Sequence, residues 1–330
     1  MKKKIINDPE NCVSETAEGF LLAHPKLYEK VPDVAGIKVK NVKDKTALVI
    51  GGGSGHEPMF SFFVGDNLAD AAAAGNIFAS PDPGTIMQTA MSVDSGKGVL
   101  FVYGNYAGDN LNFDMAAELL GDMGVESKTV RVRDDIASAP KDRADDRRGI
   151  AGDLFVVKIA GAATASGLTL DEAWQVTAKA RDNTFSIGVG LEGATIPGES
   201  KPIFTLPEDE IEFGLGIHGE PGVHRMKMMS ADAIVDMLVE LLLKDSGIKA
   251  GDRVCTYVNG LGSTTLMELH IMNRRLAQIL REKQISVYDM EVNSYVTTQE
   301  MAGASITLFK LDDELQKYYD MPCDSVYYKK

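Results

Sequence analysis

The chain is 330 residues long, 44% hydrophobic and 25% charged, enough apolar material for two domains with sizeable cores. With 34 basic against 48 acidic residues, its formal charge is -14 at pH 7, and such a surface repels phosphate backbones and argues against nucleic-acid binding. No run reaches the roughly 18 apolar residues of a membrane span, and Asn7-Asp8-Pro9-Glu10-Asn11 interrupts any secretory leader behind the basic start.

Lys2-Lys3-Lys4 and Lys329-Lys330 read as solvated ends. Cys12, Cys255 and Cys323 are far apart, which fits a reducing cytoplasm and neither a disulfide framework nor a zinc knuckle. In chain order, apolar spacing predicts an amphipathic helix within 10–30, ending near His24 because Pro25 follows. Thr46–Ile50 reads as a buried strand running into the turn Gly51-Gly52-Gly53-Ser54-Gly55-His56-Glu57-Pro58. Leu68, Ala69 and Ala71–Ala74 read as helical or tightly packed, Gly75–Gly84 as a short strand entering a loop, and Thr85–Val93 as a helix.

Gly98–Tyr103 is a second buried strand, ending in the loop Gly104-Asn105-Tyr106-Ala107-Gly108-Asp109, with a helix expected over Asn110–Leu120 and a strand over Ser127–Val132. Strand, loop and helix alternate, so a mainly parallel sheet is expected, with the loops after Ile50 and Tyr103 on one edge. The densely charged 133–148 reads as an exposed excursion. Helices follow over Asp153–Ser166 and Thr169–Ala180, with Trp174 a packing residue, then a strand over Phe185–Val189. The remaining elements are strands at Glu210–Ile217, Val254–Val258, Ile285–Val292 and Ile306–Leu311, and helices at Ala231–Lys244, Leu266–Gln284 and Asp312–Tyr319. The expected fold is two α/β domains, each a mostly parallel or mixed sheet flanked by helices. Residues 1–184 would carry the glycine loop 51–56 and Asp109, and residues 185–330 would carry His218.

The chemistry concentrates in two loops. Gly51–Pro58 lacks the lysine of a phosphate-binding Walker loop, and His56 stands where a hydrolase elbow needs glycine. Gly214-Leu215-Gly216-Ile217-His218-Gly219-Glu220-Pro221-Gly222 satisfies G-x-G-x-x-G formally, but Glu220-Pro221-Gly222 cannot continue into the helix that a dinucleotide site needs. A neutral imidazole at His218 can attack a ketone carbon, with Glu220 holding the proton on its other nitrogen. Asp109 could take a proton from a substrate hydroxyl that His56 orients. The plainer readings are turn-capping histidines at 56 and 218 and a helix N-cap at Asp109. His224 and His270 read as ordinary surface or core residues. A metal bound by His56, Asp109 and His218 is conceivable, but no His-x-x-x-His or Cys-x-x-Cys spacing supports it.

Gly51–Pro58, Asn105–Asp109, Arg148–Gly152 and Gly214–Gly222 stand in an order and spacing that resembles the substrate-binding subunit of dihydroxyacetone (glycerone) kinases over essentially the whole chain. The resemblance implies two α/β domains, a homodimer and a ketone held covalently as a hemiaminal on His218. It implies that Asp109 and His56 assist the hydroxyl that receives phosphate, and that Gly53, Ser54, Gly55, His56, Gly104 and Asp109 contact the substrate. With no Walker loop, the chain resembles the split form. No cofactor is then expected on it, and ADP with magnesium sits on a separate nucleotide-binding subunit recharged by a phosphotransferase-system protein. Three places depart from the family pattern: Gly104 replaces a usual lysine, Met59-Phe60-Ser61-Phe62-Phe63 is bulkier, and Gly75-Asn76 replaces Gly-Asp. Two alternatives therefore stand beside the first: a kinase subunit for another short ketose such as erythrulose, and a dihydroxyacetone-sensing coactivator.

Overall fold

The computed structural model describes residues 3–330, so Lys2 of the basic start lies outside it. The chain forms two units, one of 3–132, 156–180 and 317–330, the other of 133–155 and 181–316.

The first unit is built on strands β1 (Tyr28–Lys30), β2 (Gly36–Val39), β3 (Ala47–Ser54), β4 (Ala71–Ile77), β5 (Val99–Gly104) and β6 (Ser127–Val132). Their spatial order is β1-β2-β4-β3-β5-β6, with β4, β3, β5 and β6 parallel, β2 antiparallel to β4 and β1 antiparallel to β2. Helices α1 (Cys12–Ala23), α2 (Pro83–Met91), α3 (Ala107–Asp122), α4 (Asp153–Ala165) and α5 (Leu170–Asp182) follow in chain order. The mixed sheet flanked by helices matches the expected class. Apolar runs such as Val99–Tyr103 are buried on both faces, as parallel strands are, and Val49, Phe101, Tyr103, Phe113 and Leu120 make one core with Ile86 of α2.

The first helix ends where expected, with Ala23 its last residue and His24 its C-cap, and Tyr28–Lys30 beyond Pro25 is a strand. Two local expectations need correction. Of the two readings of the alanines 71–74, tightly packed holds and helical does not: they belong to β4, where Ala71, Ala72 and Ala73 are fully buried, and tertiary packing overrides alanine's helix preference. The strand entering the glycine loop does not end at Ile50. It continues through Gly51, Gly52 and Gly53 to Ser54, paired with β4. Glycine is needed there for closeness, not for turning. A Cβ would lie 2.6 Å from the Ala73 carbonyl oxygen at Gly51, 2.5 Å from the Phe60 ring at Gly52 and 2.7 Å from the Ala79 nitrogen at Gly53. The sharp bend comes at Gly55, whose φ is 99°.

In the same unit the Lys158 side chain of α4 is fully buried and donates to the carbonyls of Tyr318 and Met321 at 3.2 and 2.6 Å, tying down the C-terminal segment. Those bonds answer the penalty of burying an ammonium group.

The second unit carries β7 (Thr184–Glu192), β8 (Glu210–Phe213), β9 (His224–Lys227), α6 (Ala231–Ser246), β10 (Arg253–Gly260), α7 (Leu266–Glu282), β11 (Ser286–Asn293), β12 (Ala302–Leu311) and the start of α8 (Asp313–Tyr319). Its sheet order is β11-β10-β12-β7-β8-β9, with only β10 and β11 parallel. Leu238 and Leu242 of α6 and Leu269 and Leu276 of α7 bury against Ile306 and Leu308 of β12. Thr265 and Glu268 close the start of α7 as a reciprocal capping box.

The charged stretch 133–148 is an exposed excursion only in its middle, where Lys141, Asp142, Arg143, Asp145 and Asp146 are exposed. Asp134, Asp135 and Arg147 are buried. The Asp134 carboxylate accepts from the Ile150 and Gly152 amides at 2.8 and 2.7 Å, and Arg147 makes a two-pronged pair with Asp245 at 2.6 and 2.8 Å. Charge density in sequence reads as solvation, but here the buried charges meet backbone amides or an opposite charge, which is what lets them be buried.

Candidate active site

In the first unit, β3 and β5 are parallel neighbours, so the turn after β3 and the loop after β5 lie on the same carboxyl edge of the sheet, as expected. Gly53 and Ser54 end β3, and the Ser54 hydroxyl donates to the Gly75 carbonyl at 2.7 Å. At the bend, the Gly55 amide donates to both oxygens of Glu57 at 3.0 Å. His56 is buried, with its ring centroid 5.2 Å from that of Phe78 and 6.3 Å from that of Phe60, the latter edge-on. Burial pushes the Glu57 carboxyl up, against the pull of the Gly55 amide.

Gly104 closes β5 in register with Val132, and the Asn105 amide donates to the Val132 carbonyl at 2.8 Å. The Asn110 side chain then donates to that of Asn105 at 2.8 Å. Asp109 is not the N-cap of the helix after this loop: α3 starts at Ala107 with Tyr106 as N-cap, so Asp109 lies half-buried in the first turn. A carboxylate there is favoured by the helix dipole. The bulky residues 59–63 mostly pack elsewhere. Phe62 stacks on Phe20 at 4.3 Å and on Tyr327 at 5.2 Å, and Phe63 stacks on Tyr328 at 5.5 Å. Phe60 alone leans over Gly52 and His56.

A Cβ at Gly53 would strike the Ala79 backbone nitrogen, which cannot swing aside as a side chain could. Gly53→Ala is therefore expected to lower stability by about 1–3 kcal/mol. Urea unfolding at neutral pH measures this, and an unchanged midpoint would contradict it.

In the second unit, β8 ends at Phe213 rather than running on to Ile217, and Gly214 turns the chain with φ 71°. The loop that follows closes on itself. The Gly216 amide donates to the Glu220 carbonyl at 3.0 Å, and the His218 amide donates to Glu220 Oε2 at 2.9 Å. Glu220 Oε1 lies 3.2 Å from His218 Nδ1. A carboxylate facing Nδ1 fixes the proton there and leaves the lone pair on Nε2. The Thr298 hydroxyl donates to the Ile217 carbonyl. Burial works against ionising Glu220, but the His218 ring and then Arg148 hold its carboxyl down at about 2.

Its ionisation is thus a stabilising feature of the loop at neutral pH. With the folded pKa depressed, the contribution is complete above the unfolded value of about 4.5 and disappears as pH falls through about 2. The full shift would correspond to roughly 3 kcal/mol. With about a third of the side chain exposed, solvent screening reduces this to roughly 1–2 kcal/mol. Glu220→Gln is expected to lose that amount at pH 7. The difference from wild type should stay flat above pH ~5 and shrink below it, read from urea midpoints across pH. A difference that grew on acidification would contradict the assignment.

Thus His56, Asp109, Gly53, Ser54, Gly55 and Gly104 all belong to one sheet edge of the first unit, and His218 belongs to the second unit. His224 and His270 are exposed, on β9 and α7. Sequence reasoning missed that each Glu latches back onto the amide two residues before it, Glu57 onto Gly55 and Glu220 onto His218; the Glu-Pro pair shared by both loops was the available signal. It also gave Arg148 and Asp135 no role. Among the described residues no cluster of His, Cys, Asp and Glu could hold a metal, and no helix is long and apolar enough to cross a membrane.

Residues 18–327 match the family model described as the Dak1 domain. The chain is 44% identical over 330 residues to the dihydroxyacetone-binding subunit of a PTS-dependent dihydroxyacetone kinase 2 from Listeria innocua, covering 99% of each. It is 40% identical to an L-erythrulose kinase of Pectobacterium atrosepticum, where it covers 99% of this chain but 56% of that protein. Among solved structures, a dihydroxyacetone kinase operon co-activator, Dha-DhaQ, is 30% identical with a TM-score of 0.90, over 95% of this chain and 97% of that one. With a family match over nearly the whole chain, a full-length relative at this identity and the glycine-edged loops of both units in place, this protein belongs to the Dak1 family.

Proposed function

We propose that this chain is the ketone-binding subunit of a dihydroxyacetone kinase, holding its substrate covalently on His218. The observation that carries this reading is Glu220 Oε1 beside His218 Nδ1 at 3.2 Å, because it leaves Nε2 as the nucleophilic nitrogen. The Nε2 lone pair forms the C–N bond and the carbonyl π pair moves to oxygen, which takes a proton from water. The ring, momentarily cationic against Glu220, releases its Nδ1 proton to the hydroxide left by that water, giving a neutral hemiaminal. Bond formation selects a ketone over a polyol with the same hydroxyls, which hydrogen bonds alone would separate poorly, and it fixes the receiving hydroxyl before transfer.

His56 and Asp109 then act on that hydroxyl, His56 orienting it and Asp109 taking its proton. Gly53, Ser54, Gly55 and Gly104 complete the substrate contacts. The phosphoryl group comes from a nucleotide held with magnesium on a separate subunit, recharged by a phosphotransferase-system protein, and this chain works as a cytoplasmic homodimer. The Listeria innocua relative, matched end to end, supports the split arrangement. The test is carbon-13 NMR of ketone-labelled dihydroxyacetone with the protein: a tetrahedral carbon signal at the expense of the carbonyl is expected, and its absence with every short ketose would overturn the reading.

Two further readings have specific support. The erythrulose kinase relative and the Gly104 departure favour a four-carbon ketose, which a comparison of ketoses in the reconstituted phosphorylation assay separates. The co-activator structure favours a sensor, which would capture ketone yet yield no phosphorylated product with any nucleotide subunit.

A further inference from the structure

Arg148 opens the Arg148–Gly152 stretch and has no part in the chemistry proposed above, yet its side chain meets three separate segments of the second unit, at Asp135, Gly214 and Glu220. Its Nε and Nη2 both donate to Oδ2 of buried Asp135, at 3.1 and 2.8 Å, and Nη2 also donates to the Gly214 carbonyl at 3.2 Å. The backbone repeats the attachment. The Asp135 amide donates to the Arg148 carbonyl at 3.0 Å, and the Arg148 amide donates to the Ser138 hydroxyl at 3.0 Å. The guanidinium is thus held through Nε and Nη2. Its Nη1 points at Glu220, 3.9 Å from Oε2, the oxygen that accepts the His218 amide. Gly216 makes the approach feasible, since a Cβ there would lie 2.2 Å from Glu220 Oε2 and 2.4 Å from Arg148 Nη1.

We propose that Arg148 is a positioning residue for His218: anchored on Asp135 and Gly214, it fixes the Glu220 carboxylate, and Glu220 in turn holds the proton on Nδ1 so that Nε2 stays the nucleophile. Charge and shape both matter here. The cation adds to the pull on the Glu220 carboxylate that faces the ring, and the planar fork meets Asp135 with two nitrogens while a third faces Glu220, which a lysine cannot reproduce. Outer partners that orient a functional histidine typically shift its performance by roughly 10–100-fold. The lower end applies to Arg148, which acts through Glu220 at a distance longer than a hydrogen bond.

Two measurements test this on Arg148→Gln and Arg148→Lys in the full chain. Nitrogen-15 NMR of the histidine rings reads the His218 tautomer without ketone, assigned against His218→Gln. Nδ1–H is expected in wild type, a mixture of tautomers in Arg148→Gln and partial recovery in Arg148→Lys. Titration with labelled dihydroxyacetone reads the adduct, and a roughly ten-fold weaker apparent affinity is expected in Arg148→Gln. The adduct measurement rests on the hemiaminal reading; the tautomer measurement does not. If wild type forms no adduct, that reading fails and the tautomer still decides the role of Arg148. A folded Arg148→Gln that keeps the Nδ1–H tautomer would overturn the proposal, leaving Arg148 as the counterion of Asp135 alone. Should Arg148→Gln not fold, Arg148→Lys decides: a tautomer identical to wild type overturns the role, and a mixed one supports it.

Discussion

His218→Ala should eliminate the tetrahedral carbon signal from labelled dihydroxyacetone and lower ketose affinity by about two orders of magnitude or more, while leaving the fold intact. The size follows from what is removed. Without the imidazole, the ketone is held only by hydrogen bonds, each worth about 1 kcal/mol net because water competes for the same groups. A small triose makes few of them. The variant should also lose its preference for dihydroxyacetone over glycerol, since only bond formation reads the carbonyl. Folding should survive because His218 is partly exposed on a loop whose closure uses its backbone amide, not its ring, to meet Glu220 Oε2. Isothermal titration with both ligands, together with the carbon-13 spectrum, measures this. A tetrahedral signal that persisted in His218→Ala would assign capture to another group.

Asp109→Asn is expected to separate capture from transfer. The adduct should form as in wild type, while phosphorylation in the reconstituted system falls by about 10²–10⁴-fold, the range for loss of a positioned general base. Asparagine keeps the size and the hydrogen-bonding reach of aspartate but cannot accept the proton released as the hydroxyl attacks phosphorus. Its place in the first turn of α3 favours the ionised form needed for that task. Equal phosphorylation rates for variant and wild type would remove the base role. A wild type that captures ketone but never yields phosphorylated product would shift the assignment to the sensing reading.

Much of the fold was legible because burial leaves its mark on sequence locally. Val99–Tyr103 is apolar at every position and could only be an inner strand, and Ser127–Val132 is the span of β6 itself. Helices α6 and α7 follow their apolar periodicity to within two residues at each end. The two histidine loops stood out because glycine, histidine, glutamate and proline rarely crowd together without a chemical reason. The misreadings share a different cause. Alanines 71–74 and glycines 51–53 carry intrinsic preferences that point away from strands, and what holds them in β4 and β3 is each other: small side chains on one strand admit bare backbone on the next.

The sequence by itself determined the family, the mixed α/β character and the identity of the groups able to attack a carbonyl or take a proton, because these depend on residue type and near-neighbour spacing. Tertiary structure alone decided that Gly51–Gly53 is strand, that Asp109 lies within the helix rather than ahead of it, and that 133–148 is anchored through Asp134, Asp135 and Arg147. It also decided that Arg148 faces Glu220 across 72 positions of chain. The physical reason is that pairing a buried charge, or bringing backbone against backbone, depends on which distant segment arrives opposite, and a one-dimensional pattern holds no record of that.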